Sequence, residues 1–131
     1  AKKVAAGVEF IQTQVVYDLD KTIEFLKGIK RYDIPVFLGI FPMKSYGMAK
    51  GFDMFVPGVD VPKEILKRWK DVKKNAPDKK EKKQMYDQLN YEHFKPFITE
   101  LREKNLIDGI HCMAVHYTRF FPYLDKIIKG E

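Results

Sequence analysis

The chain is short of several things. Of its 131 residues only Cys112 is a cysteine, so no internal disulfide is available and no thiolate metal site can be assembled from that residue alone. A reducing, intracellular setting is the expectation. No apolar stretch approaches the roughly 20 residues of a membrane-crossing helix, and Ala1, Lys2 and Lys3 lead into ordinary sequence with no secretory hydrophobic segment. A soluble cytoplasmic protein with no membrane partner is therefore expected. There is no glycine-rich phosphate loop of the dinucleotide or P-loop kind and no aromatic and basic interleaving typical of an RNA-binding sheet. No nucleic-acid partner is expected. Repeats and low-complexity linkers are also missing, which leaves one domain over residues 1–131. What the chain has in quantity is apolar material, 45% hydrophobic and 14% aromatic residues, enough for a packed core. Its net charge of +6 would suit nucleic acid or a ligand rich in phosphate or carboxylate groups, and charge alone does not choose.

The apolar pattern alternates between strand-like and helical stretches. Val8 to Gln14 reads as a strand, and Asp18 to Arg31 as a helix carrying Leu19, Ile23, Leu26 and Lys30 on one face, widened by Phe25 and Ile29. Ile34 to Phe41 is a near-continuous apolar run, the mark of a strand covered on both faces and so of a parallel sheet. Pro42 ends it. Ser45 is placed to cap a short helix with Met48, Ala49 and Phe52, and Pro57-Gly58 makes a turn. Pro62 opens a helix with Ile65, Trp69 and Val72 inward. Asp78 caps a long helix to about Lys104 with Met85, Leu89, Phe97 and Leu101 as its stripe, and Pro96 is expected to kink or break it. Gly109 to Val115 is a third strand. Thr118 then caps a last helix with Phe120, Phe121, Leu124, Ile127 and Ile128 inward.

This order demands parallel strands joined by right-handed crossovers. A doubly wound open sheet and a piece of a (β/α)8 TIM barrel both meet the demand, and three strands cannot close a barrel, which usually needs about 250 residues. In either architecture ligands gather at the carboxyl ends of the strands. Gln14 occupies such an end. Its amide offers a donor and an acceptor, which suits the edge of a pterin or flavin ring, and Gln12 points the same way but deeper. The alternative is that both amides only satisfy neighbouring backbone groups or waters. His111, Cys112 and His116 lie close in sequence, but strand alternation sends His111 and Cys112 to opposite faces, so no metal site is expected. His93, on a helix among aromatics, reads as structural. The lysines from Lys73 to Lys83 read as a solvated helix end, with attraction of a carboxylate-rich ligand tail as the other reading.

Four stretches, KKVAAGVEFIQTQVVYD, PVFLGIFPMKSYGMAKGF, GVDVP and DGIHCMAV, in this order and spanning essentially the whole chain, resemble the methylenetetrahydrofolate reductase family. The resemblance covers the C-terminal part of that family's flavin-dependent barrel and is closest to its shorter microbial type. It implies about three parallel strands with covering helices, reduction of 5,10-methylenetetrahydrofolate to 5-methyltetrahydrofolate through a bound flavin (FAD or FMN), and NAD(P)H or another electron donor. Gln14, preceded by Thr13, would bind the folate pterin. Phe52 would stack against folate or nicotinamide, and Lys3 would approach the flavin phosphate or ribose. No catalytic residue is carried over, because the family keeps its general acid on the N-terminal strands. Those strands would come from the same or another chain, in an oligomer or complex, and this segment alone is not expected to be active. A non-catalytic folate-binding or scaffold subunit is the other reading. After Gly-x-His many members continue Phe-Tyr-Thr-Leu-Asn-Arg. Here Cys112 to Tyr117 stands in that place, so the nucleotide contact of that Arg is not carried over.

Overall fold

The computed structural model describes residues 1–131. Strands β1 (Ile11–Val15), β2 (Val36–Ile40) and β3 (Gly109–Cys112) form one parallel sheet in the order β1-β2-β3. Around it run α1 (Lys2–Ala5), α2 (Leu19–Lys30), α3 (Tyr46–Phe55), α4 (Lys63–Asn75), α5 (Lys79–Glu103) and α6 (Phe121–Lys129), with a 3-10 turn at Thr118–Phe120. The class is therefore α/β with a parallel three-stranded sheet, as the alternation of patterns predicts. No helix is long and apolar enough to cross a membrane.

Three helices start where short side chains cap them. The carboxylate of Asp18 accepts from the Lys21 amide at 3.0 Å, Ser45 Oγ from the Met48 amide at 3.2 Å, and Asp78 from the Glu81 amide at 2.8 Å. Each satisfies one of the amides that the first helical turn leaves unbonded. Thr118 does not cap α6: it lies inside the 3-10 turn and makes no capping bond. Helix α5 runs through Pro96 without a break. Pro96 and Glu92 are both exposed, so the carbonyl that loses its partner is open to water.

The strand limits are narrower than the apolar runs. Ladder bonding begins with the Ile11 amide on the Pro35 carbonyl at 2.8 Å, so Val8 to Phe10 have no strand beside them. At the other end the Met113 amide still reaches the Ile40 carbonyl at 2.9 Å, but β2 then turns at Pro42 and Ala114 and Val115 are left outside the sheet.

One face of the sheet, with Leu38 and Ile40 fully buried and Ile110 and Cys112 beside them, packs against the helices. There it meets Leu26, Trp69, Phe94, Phe97, Ile98, Leu101 and Phe120. The inward stripes differ from the sequence pattern at their margins. Phe25, Met85, Phe121 and Ile128 are exposed, while Tyr86, Asn90 and Phe94 form an inner row along the middle of α5. At each of these helices the apolar stripe is wider than the face the core covers.

Candidate functional site

Parallel strands bring their carboxyl ends to one side of the sheet, and the irregularity of β1 lies at that side. Gln12 pairs with Phe37 and Val15 with Gly39, so three residues of β1 span two of β2 and a bulge sits at Thr13-Gln14. Its cause is visible. Thr13 Oγ1 accepts from the Gly39 amide at 2.9 Å and donates to the Gln14 carbonyl at 2.8 Å, replacing a ladder bond with a side chain. Gly39 makes the close approach possible: a Cβ there would lie 2.6 Å from the Thr13 carbonyl oxygen, nearer than real Cβ atoms come.

The bulge leaves Gln14 exposed beside a cleft of about 250 Å³ along the free edge of β1. Thr13, Tyr17, Lys21 and Asp60 help to line it. Gln14 Oε1 accepts from the Val15 amide at 3.1 Å. Lys21 and Asp60 form an exposed ion pair at 2.5 Å across the cleft rim, and the proximity of Asp60 raises the pKa of Lys21.

The sheet face away from the helices is open. The register sets Gln12, Phe37 and Gly109 in one row across the three strands and places Gly39 beside His111 in the next. Phe37 lies over Gly109, where a Cβ would come within 2.7 Å of its ring, and Phe10 meets Phe37 edge to face at 5.7 Å between centroids. His111 is half-buried, and its Nδ1 is enclosed without a hydrogen-bond partner. Cys112, on the opposite face, has its thiol pushed up to about 11 by burial.

Two loops at the carboxyl ends are fastened by one buried polar network. Asn90, in the middle of α5 and fully buried, accepts from the Met43 amide at 2.8 Å. Its Nδ2 donates to the carbonyls of Met43 and Tyr86 and to the Tyr117 hydroxyl. Trp69 Nε1 donates to the same Met43 carbonyl at 2.8 Å. On the β3 side the Tyr117 hydroxyl donates to Asp87, and Arg119 Nε donates to both Asp87 oxygens at 2.9 and 2.8 Å. Desolvation, with the Asp87 carboxylate second, raises the Tyr117 phenol, so it stays a proton donor. The loops after β2 and β3 are thus anchored to α4 and α5.

The residues singled out from the sequence do not all meet. Gln14 and Thr13 share the cleft, though Thr13 is buried and both bonding capacities of its hydroxyl are engaged. Phe52 is half-buried in α3, its ring tilted at 58° against Phe41 at 4.7 Å and Tyr17 at 6.0 Å between centroids, and is not in the cleft wall. Lys3 is exposed on α1. The charged Ala1 amino group beside it lies near Tyr32, in the turn that leads into β2, and with Arg31 second holds that phenol below its ordinary value. Lys3 therefore lies toward the amino-terminal side of the sheet, away from Gln14. His93 sits among Tyr17, Phe94 and Phe97, and burial depresses its pKa to about 4, with Arg68 adding to the shift. Not singled out from the sequence were Gly39 and the group Asn90, Asp87 and Arg119. Asn90 could have been found, because it stands four residues from both Tyr86 and Phe94 on an apolar helical stripe.

The fold is an α/β protein with a parallel three-stranded sheet, a bulge at the carboxyl end of β1 and loops anchored to α4 and α5. The family model described as methylenetetrahydrofolate reductase matches residues 1–122, and the chain belongs to that family. It is also similar to Methylenetetrahydrofolate reductase 2 of Schizosaccharomyces pombe (strain 972 / ATCC 24843), at 26% identity over 126 residues, 90% of this chain. The chain spans 18% of the length of that relative.

Proposed function

We propose that this chain forms the carboxyl-terminal part of a (β/α)8 barrel that reduces 5,10-methylenetetrahydrofolate to 5-methyltetrahydrofolate, and that the open sheet face is the barrel's inner wall. Family membership supports the reaction. A section of barrel has helices on one face, an uncovered inner face and two unpaired strand edges, and this sheet has all three. The remaining strands would come from the same or another polypeptide, in an oligomer or complex.

The observation that carries the reading is the placement of Gln14. The bulge turns it outward at the carboxyl end of β1, and its amide nitrogen makes no bond within the protein, leaving donors for the polar edge of a pterin. The open face also fits a planar ring. Gly39 keeps part of its floor at backbone level, the Phe37 ring fills the space over Gly109, and the unpartnered Nδ1 of His111 lies in the same face. Bound flavin, FAD or FMN, would supply the hydride, with NAD(P)H or another donor restoring it. This chain's part is binding and orientation. Gln14 fixes the folate edge, Thr13 holds the bulge that aims Gln14, and the Asn90 and Asp87 network keeps the neighbouring loops in place. Phe52 would act as a ring platform on the family resemblance; the flavin contact that the resemblance implies for Lys3 is not part of this site, because Lys3 lies toward the amino-terminal side of the sheet.

In the complete enzyme, Gln14→Ala should cost about 1 to 3 kcal/mol in folate binding or turnover and leave flavin content nearly unchanged. A variant that lost flavin while keeping normal folate kinetics would move Gln14 from the folate to the cofactor.

A further inference from the structure

The net charge of the chain is concentrated in one place. Residues 63–83, which are α4, the turn after it and the start of α5, hold ten basic and four acidic side chains, a net +6. The rest of the chain holds fourteen of each sign and sums to zero. None of the nine lysines in the segment makes an ion pair, and all but Lys82 are exposed. Arg68, its one arginine, is taken up by Glu92 at 2.5 Å.

The segment also projects. Helix α5 is level with the carboxyl ends of the strands at Asp87 and Asn90, where it holds Tyr117 and Met43. Lys79 lies eleven residues before Asn90, about 16 Å of helix. The lysine-rich turn therefore stands beyond the carboxyl-terminal side of the sheet, the side that carries the cleft.

We propose that this α4–α5 tip is a docking surface for an acidic protein. Two features narrow the partner. Insertion into a membrane surface needs an apolar helix face turned outward, and on α4 Ile65, Trp69 and Val72 are buried in the core with Leu66 half-buried against it. Base stacking needs exposed aromatics, and the one aromatic in the segment, Trp69, is fully buried. What remains is a rigid, wide field of ammonium groups, which steers and holds an extended array of carboxylates. This inference is independent of the reaction proposed above.

The test uses α-linked poly-L-glutamate of about 50 residues as a mimic of an acidic protein surface, with triglutamate, duplex DNA and phosphatidylglycerol vesicles as comparison ligands, at two salt concentrations. The chain should bind the long polymer, lose affinity steeply with salt, and bind triglutamate at least tenfold more weakly. Changing Lys73, Lys74, Lys79, Lys80, Lys82 and Lys83 to Gln should weaken the long polymer at least tenfold. The same six changed to Arg should keep it, which guards against a folding defect. A control with Lys2, Lys27, Lys44, Lys50, Lys95 and Lys126 changed to Gln should lose less than threefold. Equal losses in the two Gln variants would overturn the proposal. So would triglutamate binding as well as the polymer, which would assign the tip to a small ligand's tail, or tighter binding to DNA or vesicles.

Discussion

The two faces of the sheet obey different rules. On the helix side, Leu38 and Ile40 are wholly enclosed and Asn90 and Trp69 both bond Met43, with His93 Nε2 the one buried polar side-chain atom there left without a partner. On the other side Phe10 is 57% and Phe37 36% exposed, and His111 Nδ1 has no partner. A face finished for water would carry polar residues on alternate positions of every strand. This one carries Phe10, Phe37, Gly39 and Gly109 beside Gln12 and His111. One face is covered by the helices and the other is not.

The contrast can be broken most directly by truncating a ring on each face. Trp69→Ala, which removes a buried ring and the hydrogen bond on Met43, should destabilise the chain by about 3 to 5 kcal/mol. Phe37→Ala should cost the isolated chain under about 1.5 kcal/mol, because much of that ring is already in water. Urea denaturation of both variants checks the pair. Equal losses would mean that the open face is packed in solution, for instance in a self-associated form.

How much of this was legible beforehand follows from the range of the forces. The caps at Asp18, Ser45 and Asp78 and the three parallel strands rest on local or periodic signals, and the sequence carries them directly. The bulge at Thr13-Gln14 depends on Gly39, 26 residues away in the chain, donating to a threonine hydroxyl. No local pattern encodes such a bond. Thr118 failed as a cap because the buried Tyr117, drawn in by Asp87 and Asn90, sets the chain into a 3-10 turn first. Phe121 and Ile128 have the right spacing for α6, but the neighbouring α5 covers only the narrower stripe of Phe120, Leu124 and Ile127. At the cleft, the exposed Gln14 was legible as a polar residue near the end of an apolar strand. The anchoring of the loops was not, since Asp87 and Arg119 read as ordinary surface charges until the fold joins them.

The helix-covered side also contains a weak point that acid should find. His93 has its pKa lowered to about 4, first by burial and then by the charge of Arg68, against an ordinary value of roughly 6.5 in the unfolded chain. Above pH 6.5 both states are neutral there and the effect is absent. As pH falls from 6.5 toward 4 the unfolded state takes up the proton and the folded state does not, so stability is lost across that window. The loss should approach about 2 to 3 kcal/mol. His93→Gln should flatten this part of the stability profile in urea titrations at pH 7, 5.5 and 4.5. An unchanged slope in the variant would trace the acid sensitivity to other groups.

The smallest expected effect falls where the two sides meet. Phe52 is neither enclosed like Trp69 nor open like Phe10: its ring is half-buried against Phe41 and Tyr17. Tyr17 is itself held, with its buried hydroxyl donating to the Phe41 carbonyl at 2.6 Å, so the three rings form one rigid shelf. Truncating a half-buried ring forfeits part of its transfer energy and opens no closed cavity, so Phe52→Ala should cost about 1 to 2 kcal/mol, below the full-burial range. In the complete enzyme a ring platform adds a second signature. Folate and nicotinamide binding should then weaken together while Gln14→Ala affects folate alone, since a stacking face serves any flat ring and an amide serves one hydrogen-bonding edge. Normal affinity for both ligands, with the stability loss intact, would confine Phe52 to bracing Phe41 and Tyr17.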